Sequence, residues 1–263
     1  MQTQWAPGER ITIAEVRASI NPKMEVHPSV SIFGRPLANL ITPGFHNRGW
    51  TANNMTVARS WMAIGGMLLL AFPDPHLWQL SVGIYYLNFV LDCVDGNLAR
   101  VQNDASYYGK FLDGVSDFIY PSLSAFVLGI GCWLYFDQPL AIILGACITI
   151  ASVSNQMVRN RLSFFREWMV GLTGKLTEEE LAKAVRVRKF QQKMAFLLVN
   201  GYFIAILLLL VPNPLWAVIG FFSISIVTQL VPETMWFFSN LLEGAAILKR
   251  RRRSKSSSIQ TSK

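Results

Sequence analysis

Between positions 92 and 117 the chain reads D-C-V-D-G-N-L-A-R-V-Q-N-D-A-S-Y-Y-G-K-F-L-D-G-V-S-D. Asp92 and Asp95 are three residues apart, and Asp113 and Asp117 four apart, so each pair shares one helix face. Apolar runs precede Asp92 and follow Asp117, which puts both pairs in or beside hydrophobic segments. A carboxylate in a membrane helix costs about 2.5–3.5 kcal/mol, and four of them demand compensation. Hard divalent cations such as Mg²⁺, Ca²⁺ and Mn²⁺ provide it, because they favour carboxylate oxygens. Gly96 and Ala99 leave room for a close ligand, and Arg100 is a natural phosphate partner. Acids, small residues and arginine together suggest a metal-nucleotide site. The plainer alternative is a set of acids buried in a helix bundle.

The elements that hold these residues are read from hydrophobic runs. Of 263 residues, 52% are hydrophobic and 15% charged, and the apolar residues come in long stretches. This points to an all-α integral membrane protein with one membrane domain. Six spans are expected near 54–72, 77–99, 107–136, 139–161, 190–211 and 214–241. The third is longer than a bilayer requires, so its end bearing Asp113 and Asp117 projects into the cytoplasm. Ahead of the spans, Thr12 to Ile20 has the pattern of a short amphipathic helix, with Thr12 and Glu15 as a capping box. Phe33, Leu37, Leu40 and Ile41 form a second apolar stripe ending before Pro43. That stripe fits either an N-terminal helix lying in the membrane interface or a surface helix packed on the same chain. Three regions result: a cytoplasmic N-terminal segment, 1–50; a six-helix membrane domain, 51–243; and a basic, disordered cytoplasmic tail, 244–263.

Charge sets the orientation. The short connections at 72–76, 136–139 and 211–214 contain no Lys or Arg. The opposite side holds Arg100 and Lys110, then a basic set from Arg159 to Lys189, then Lys249 to Arg253. By the positive-inside rule both termini and the aspartate motif are cytoplasmic. The net charge of +8 is thereby explained without nucleic acid, with contact to anionic lipid as an added role. Within 177–193, acids come first and bases last, as in a helix complementing its own dipole. Cys93, Cys132 and Cys147 are scattered, without zinc spacing or an even count for disulfides.

The motif resembles that of the CDP-alcohol phosphotransferases, D-x2-D-G-x2-A-R-x8-G-x3-D-x3-D. Asp92, Asp95, Gly96, Ala99, Arg100, Gly109, Asp113 and Asp117 match every specified residue and gap. The resemblance implies an alcohol hydroxyl attacking the β-phosphorus of a CDP-linked donor and releasing CMP. It implies two divalent cations, Mg²⁺ or Mn²⁺, on Asp92, Asp95, Asp113 and Asp117, with Asp113 and Asp117 catalytic. Asp117 is the general-base candidate, since an ionised carboxylate within hydrogen-bond reach can take the acceptor proton. Gly96 and Ala99 let the nucleotide approach the backbone, and Gly109 permits close packing or ligand approach. Arg100 pairs with phosphate or with a motif acid. Upstream the family often has Pro-Asn and then Thr; here Ala52 replaces the proline, while Asn53 and Thr56 are candidate nucleotide contacts. Both would equally serve as polar capping at a helix start. A homodimer is also implied.

A second constellation, Arg159, Arg161 and Lys193, could line a pocket for an anionic acceptor, or simply obey the positive-inside rule. Asn155, Asn200, Gln229 and Glu233 are further polar positions within spans, and Pro232 is a candidate kink. The expected donor is CDP-diacylglycerol and the acceptor a small polar alcohol, in a membrane phospholipid-synthesis enzyme. The reverse pairing, a soluble CDP-alcohol with a lipid hydroxyl, shares the motif. An ion transporter would also place acids on adjacent helices, but has no need of the Gly96, Ala99 and Arg100 spacing.

Overall fold

A computed structural model describes residues 5–20, 30–103, 107–173 and 202–242. The described regular structure is entirely helical. Helix α1 spans Ile13–Ala18, α2 Arg35–His46, α3 Ala52–Leu69, α4 Pro75–Gln102, α5 Tyr107–Phe136 and α6 Leu140–Thr173. The last helix covers Pro214–Leu242. Four described helices are long and apolar enough to cross a membrane: Pro75–Gln102, Phe111–Phe136, Leu140–Leu162 and Pro214–Leu242. The protein is therefore read as integral to the membrane. Helix α3 forms where the first span was expected, but Asn53, Asn54, Thr56, Arg59 and Ser60 make its first half polar. Residues 202–208 are helical and 209–211 turn, so the expected fifth span closes a few residues early; its part 190–201, the 177–193 helix and the basic tail lie outside the described residues.

Local chemistry explains the helix ends. Asp74 caps α4 by accepting from the His76 amide at 2.9 Å, with Pro75 opening the helix. Asn213 caps the last helix in the same way, accepting from Leu215 at 3.0 Å, with Pro214 following it. Helix α4 ends at Asn103, whose φ of 51° is left-handed. The α1 capping box forms as expected: the Thr12 amide donates to Glu15 Oε2 at 2.7 Å and the Glu15 amide to Thr12 Oγ1 at 3.4 Å. The regular helix there is shorter than the apolar pattern, closing at Ala18.

Helix α2 corrects one expectation. It does not stop before Pro43 but continues to His46. Proline removes one amide donor from a helix interior. Here burial of Ala38, Asn39, Thr42 and His46 along one face carries the helix past that defect. The opposite side leaves Leu37 and Leu40 exposed, as the preceding π turn Val30–Gly34 leaves Ile32 and Phe33. In the last helix, where a kink at Pro232 was expected, the π turn Ile226–Leu230 lies just ahead of that proline.

Two packed regions position the site. The larger core includes Trp78, Tyr120, Leu128, Ile206 and Phe221. Its aromatic centre stacks Tyr85 on Tyr120 at 5.0 Å and sets Tyr85 edge-on to Tyr202 at 5.1 Å. The second cluster, Ala38, Ala52, Met55, Val90, Val94 and Leu98, joins α2, α3 and α4, its α4 members interleaved in sequence with Asp92 and Asp95. Helices α5 and α6 meet through glycine: a Cβ on Gly145 would lie 2.3 Å from the Ala125 carbonyl oxygen.

Candidate active site

Three helices converge on the acids. Asp92 and Asp95 come from α4, Asp113 from the first turns of α5, and the α3 face bearing Thr56 and Arg59 packs against both. One carboxylate oxygen from each of Asp92, Asp95 and Asp113 lies within 4.8 Å of the others. Asp117 follows one turn beyond Asp113 on α5.

Between the three carboxylates sits a residue that the motif does not contain. The Arg59 side chain is only 1% exposed. Its Nε donates to Asp95 Oδ2 at 2.7 Å, and its Nη2 reaches Asp92 Oδ1 at 2.7 Å and Asp113 Oδ1 at 2.5 Å. Thr56 Oγ1 lies 2.9 Å from the same Asp95 Oδ2 and 3.1 Å from the Ala52 carbonyl oxygen. Asp95 is thus the buried floor of the site, with its side chain 8% exposed. Asp92 and Asp113 are open, at 35% and 46%. One guanidinium against three carboxylates leaves the cluster negative, which suits divalent cations bound by hard oxygen donors. The residues present fit such ions.

The remaining motif positions surround this cluster. Arg100 Nη2 donates to Asn97 Oδ1 at 2.6 Å, and its guanidinium lies over Gly96, where a Cβ would stand 3.5 Å from both terminal nitrogens. Arg100 makes no ion pair with Asp92, Asp95 or Asp113; Arg59 pairs with all three. Arg100 Nε is buried without a hydrogen-bond partner. Asn97 in turn donates to Asn39 Oδ1 at 3.0 Å and lies 3.1 Å from Thr42 Oγ1, which ties the orientation of Arg100 to α2. Ala99 packs into the α2–α3–α4 cluster, and Gly109 lies in the first turn of α5.

The capping alternative for Thr56 gives way to its contact with Asp95. The α3 cap is Thr51, accepting from the Asn54 amide at 3.2 Å. Asn53 lies half-buried in the first turn, ahead of Thr56.

Arg159 and Arg161 lie on α6. The Arg159 guanidinium carbon lies 4.9 Å from the centre of the Trp236 ring, a cation–π contact between α6 and the last helix. Beside it, Asn155 donates to Glu233 and accepts from Asn240 at 3.3 Å. Arg161 is exposed, and Lys193 lies outside the described residues. Neither arginine forms an ion pair with Asp92, Asp95 or Asp113, which pair with Arg59.

The sequence reading missed Arg59, Asn97, Asn39 and Thr42. The signal for Arg59 was its place one turn after Thr56 on a face otherwise bound for the core.

Three acids from two helices thus converge beside Gly96 and Arg100, an arrangement that could hold a divalent cation next to a phosphate. The family model for CDP-alcohol phosphatidyltransferase matches residues 50–235, and the chain belongs to that family. It is accordingly a membrane transferase of phospholipid synthesis that works on CDP-linked alcohols, and the ion-transporter alternative falls away. A comparison with curated proteins finds no match.

Proposed function

We propose that the protein transfers a substituted phosphate from CDP-diacylglycerol to the hydroxyl of a small polar alcohol, releasing CMP. The observation that supports this most is the convergence of Asp92, Asp95 and Asp113 at one point. Asp92, Asp95, Asp113 and Asp117 would hold two divalent cations, Mg²⁺ or Mn²⁺. When bound, these ions neutralise the diphosphate and the charge that develops on the leaving CMP.

The chain's own residues do the rest. Asp117 takes the acceptor proton as the hydroxyl oxygen bonds to the β-phosphorus. The bond from that phosphorus to the bridging oxygen breaks, and its electron pair leaves with CMP. Arg100 holds a donor phosphate, with Asn97 fixing its approach. Gly96, Ala99 and Gly109 keep the nucleotide's path clear, and Asn53 and Thr56 lie on the nucleotide side. The exposed apolar residues of α2 suit a helix lying in the membrane interface. There a lipid-anchored diphosphate meets the motif, and a soluble acceptor arrives from the basic, cytoplasmic side. Arg159, Arg161 and Lys193 would attract an acceptor bearing phosphate or carboxylate. A homodimer is the assembly we expect.

The test pairs each donor with a panel of acceptors and follows labelled CMP. We expect metal-dependent release with CDP-diacylglycerol and a small polar alcohol. Turnover with CDP-choline or CDP-ethanolamine plus diacylglycerol, and none with CDP-diacylglycerol, would reverse donor and acceptor roles while sparing the metal-nucleotide assignment.

A further inference from the structure

Arg59 lies at the centre of the acids, yet no motif position accounts for it. Its guanidinium is buried and divides its bonds: Nε serves the buried Asp95, and Nη2 serves the two open carboxylates, Asp92 and Asp113. A planar fork can serve several oxygens at once in this way, whereas an ammonium is a single point charge. The three carboxylates that Arg59 gathers are the same three whose oxygens lie within 4.8 Å of one another. A guanidinium and a divalent ion seek the same lone pairs, and they repel each other.

We propose that Arg59 is a resident counter-ion of the aspartate cluster: it holds the three carboxylates together before a divalent ion arrives, and it sets the affinity for that ion by competing for the same oxygens. The proposal rests on the metal reading above. The exposure of the partners gives the exchange a direction. An ion arriving from the open side meets Asp92 and Asp113 first, so the Nη2 pairs yield. The Nε pair with Asp95 persists, because Thr56 and Arg59 together fix the same oxygen of Asp95. Arg59 is a positioning residue, acting on the reaction through the acids.

The experiment compares the full-length wild type, Arg59→Gln and Arg59→Lys, stripped of metal by chelation. Two quantities are read: the midpoint of thermal unfolding without metal, and Mn²⁺ affinity from the spin-resonance signal of free Mn²⁺. Arg59→Gln removes the charge, so its metal-free midpoint falls while its Mn²⁺ affinity rises by roughly tenfold or more. Arg59→Lys keeps the charge, so its Mn²⁺ affinity stays within about threefold of wild type. An unchanged metal-free midpoint in Arg59→Gln, or Mn²⁺ affinity equal to or weaker than wild type, overturns the proposal. If Arg59→Gln is not recovered folded, Arg59→Lys carries the test. Its lowered metal-free midpoint is restored by saturating Mn²⁺; a deficit that Mn²⁺ leaves unchanged overturns the counter-ion role. A wild type that binds no Mn²⁺ overturns the metal site itself, an outcome distinct from equal binding by wild type and variant.

Discussion

Asp92 and Asp95 look equivalent in the motif but differ in burial. Asp92 and Asp113 are open and can lose a charge without disturbing the packing. Asp92→Asn and Asp113→Asn should therefore lose most CMP release while keeping a wild-type yield of folded protein. Asp95 is the buried partner of both Arg59 and Thr56. Asp95→Asn should lose activity and also stability, by about 1–3 kcal/mol, because it weakens the partner of a buried charge. Thermal unfolding of the three purified variants, run beside the CMP assay, checks both; equal stability of all three would contradict the burial argument. The aspartates were legible because spacing within a helix is a local property. Arg59 was not, because an arginine among the polar residues that open a span reads the same whether it reaches for the surface or pairs inside. Its partners lie on helices α4 and α5, and no spacing rule spans that separation.

At the scale of elements, a capping side chain and a proline coincide at Asp74–Pro75 and Asn213–Pro214, so the second span, expected from 77, starts at 75, and the last starts at 214 as expected. Proline alone misled at Pro43, since tertiary burial of the α2 face outweighs one lost hydrogen bond. Helix contacts were not readable, because any of several glycines could mark a crossing. The structure separates them. A Cβ on Gly145 would strike the Ala125 carbonyl oxygen at 2.3 Å, whereas one on Gly83 meets nothing within 4 Å. Gly145→Ala should push α5 and α6 apart at a cost of about 1–3 kcal/mol. Gly83→Ala should be neutral, or stabilising by roughly 0.5–1 kcal/mol through helix propensity. Unfolding midpoints in detergent distinguish them, and a neutral Gly145→Ala would refute the close crossing.

At the scale of the whole molecule, composition alone pointed to the membrane, and four long apolar helices agree with it. The count of six spans rests further on α3, whose first half is polar because it contributes to the site, and on residues beyond those described. Sidedness is a property of charge distribution, and no helix geometry encodes it. We expect the N-terminus, residues 162–189 and the tail to be cytoplasmic, because basic residues gather there. Membrane-impermeant labelling of Lys175→Cys in a background without the native cysteines checks this. Labelling only from the outer side would invert the orientation.

The N-terminal segment carries a consequence for biogenesis. Trp5 donates its amide to the Val101 carbonyl, Gly8 to His46, and Ile11 to Asn47 Oδ1, while Ile11 and Val16 bury themselves against Val101. Residues 5–16 therefore dock on the ends of α2 and α4. At ribosomal rates of about 5–20 residues per second, they wait on the order of 5–20 s for Val101 to be made. Helix α1 has six residues, too few to persist alone in water. During that interval its apolar pair is unsheltered, so a nascent chain stalled before α4 is complete displays Ile11 and Val16 to chaperones and proteases, whereas one stalled after it does not.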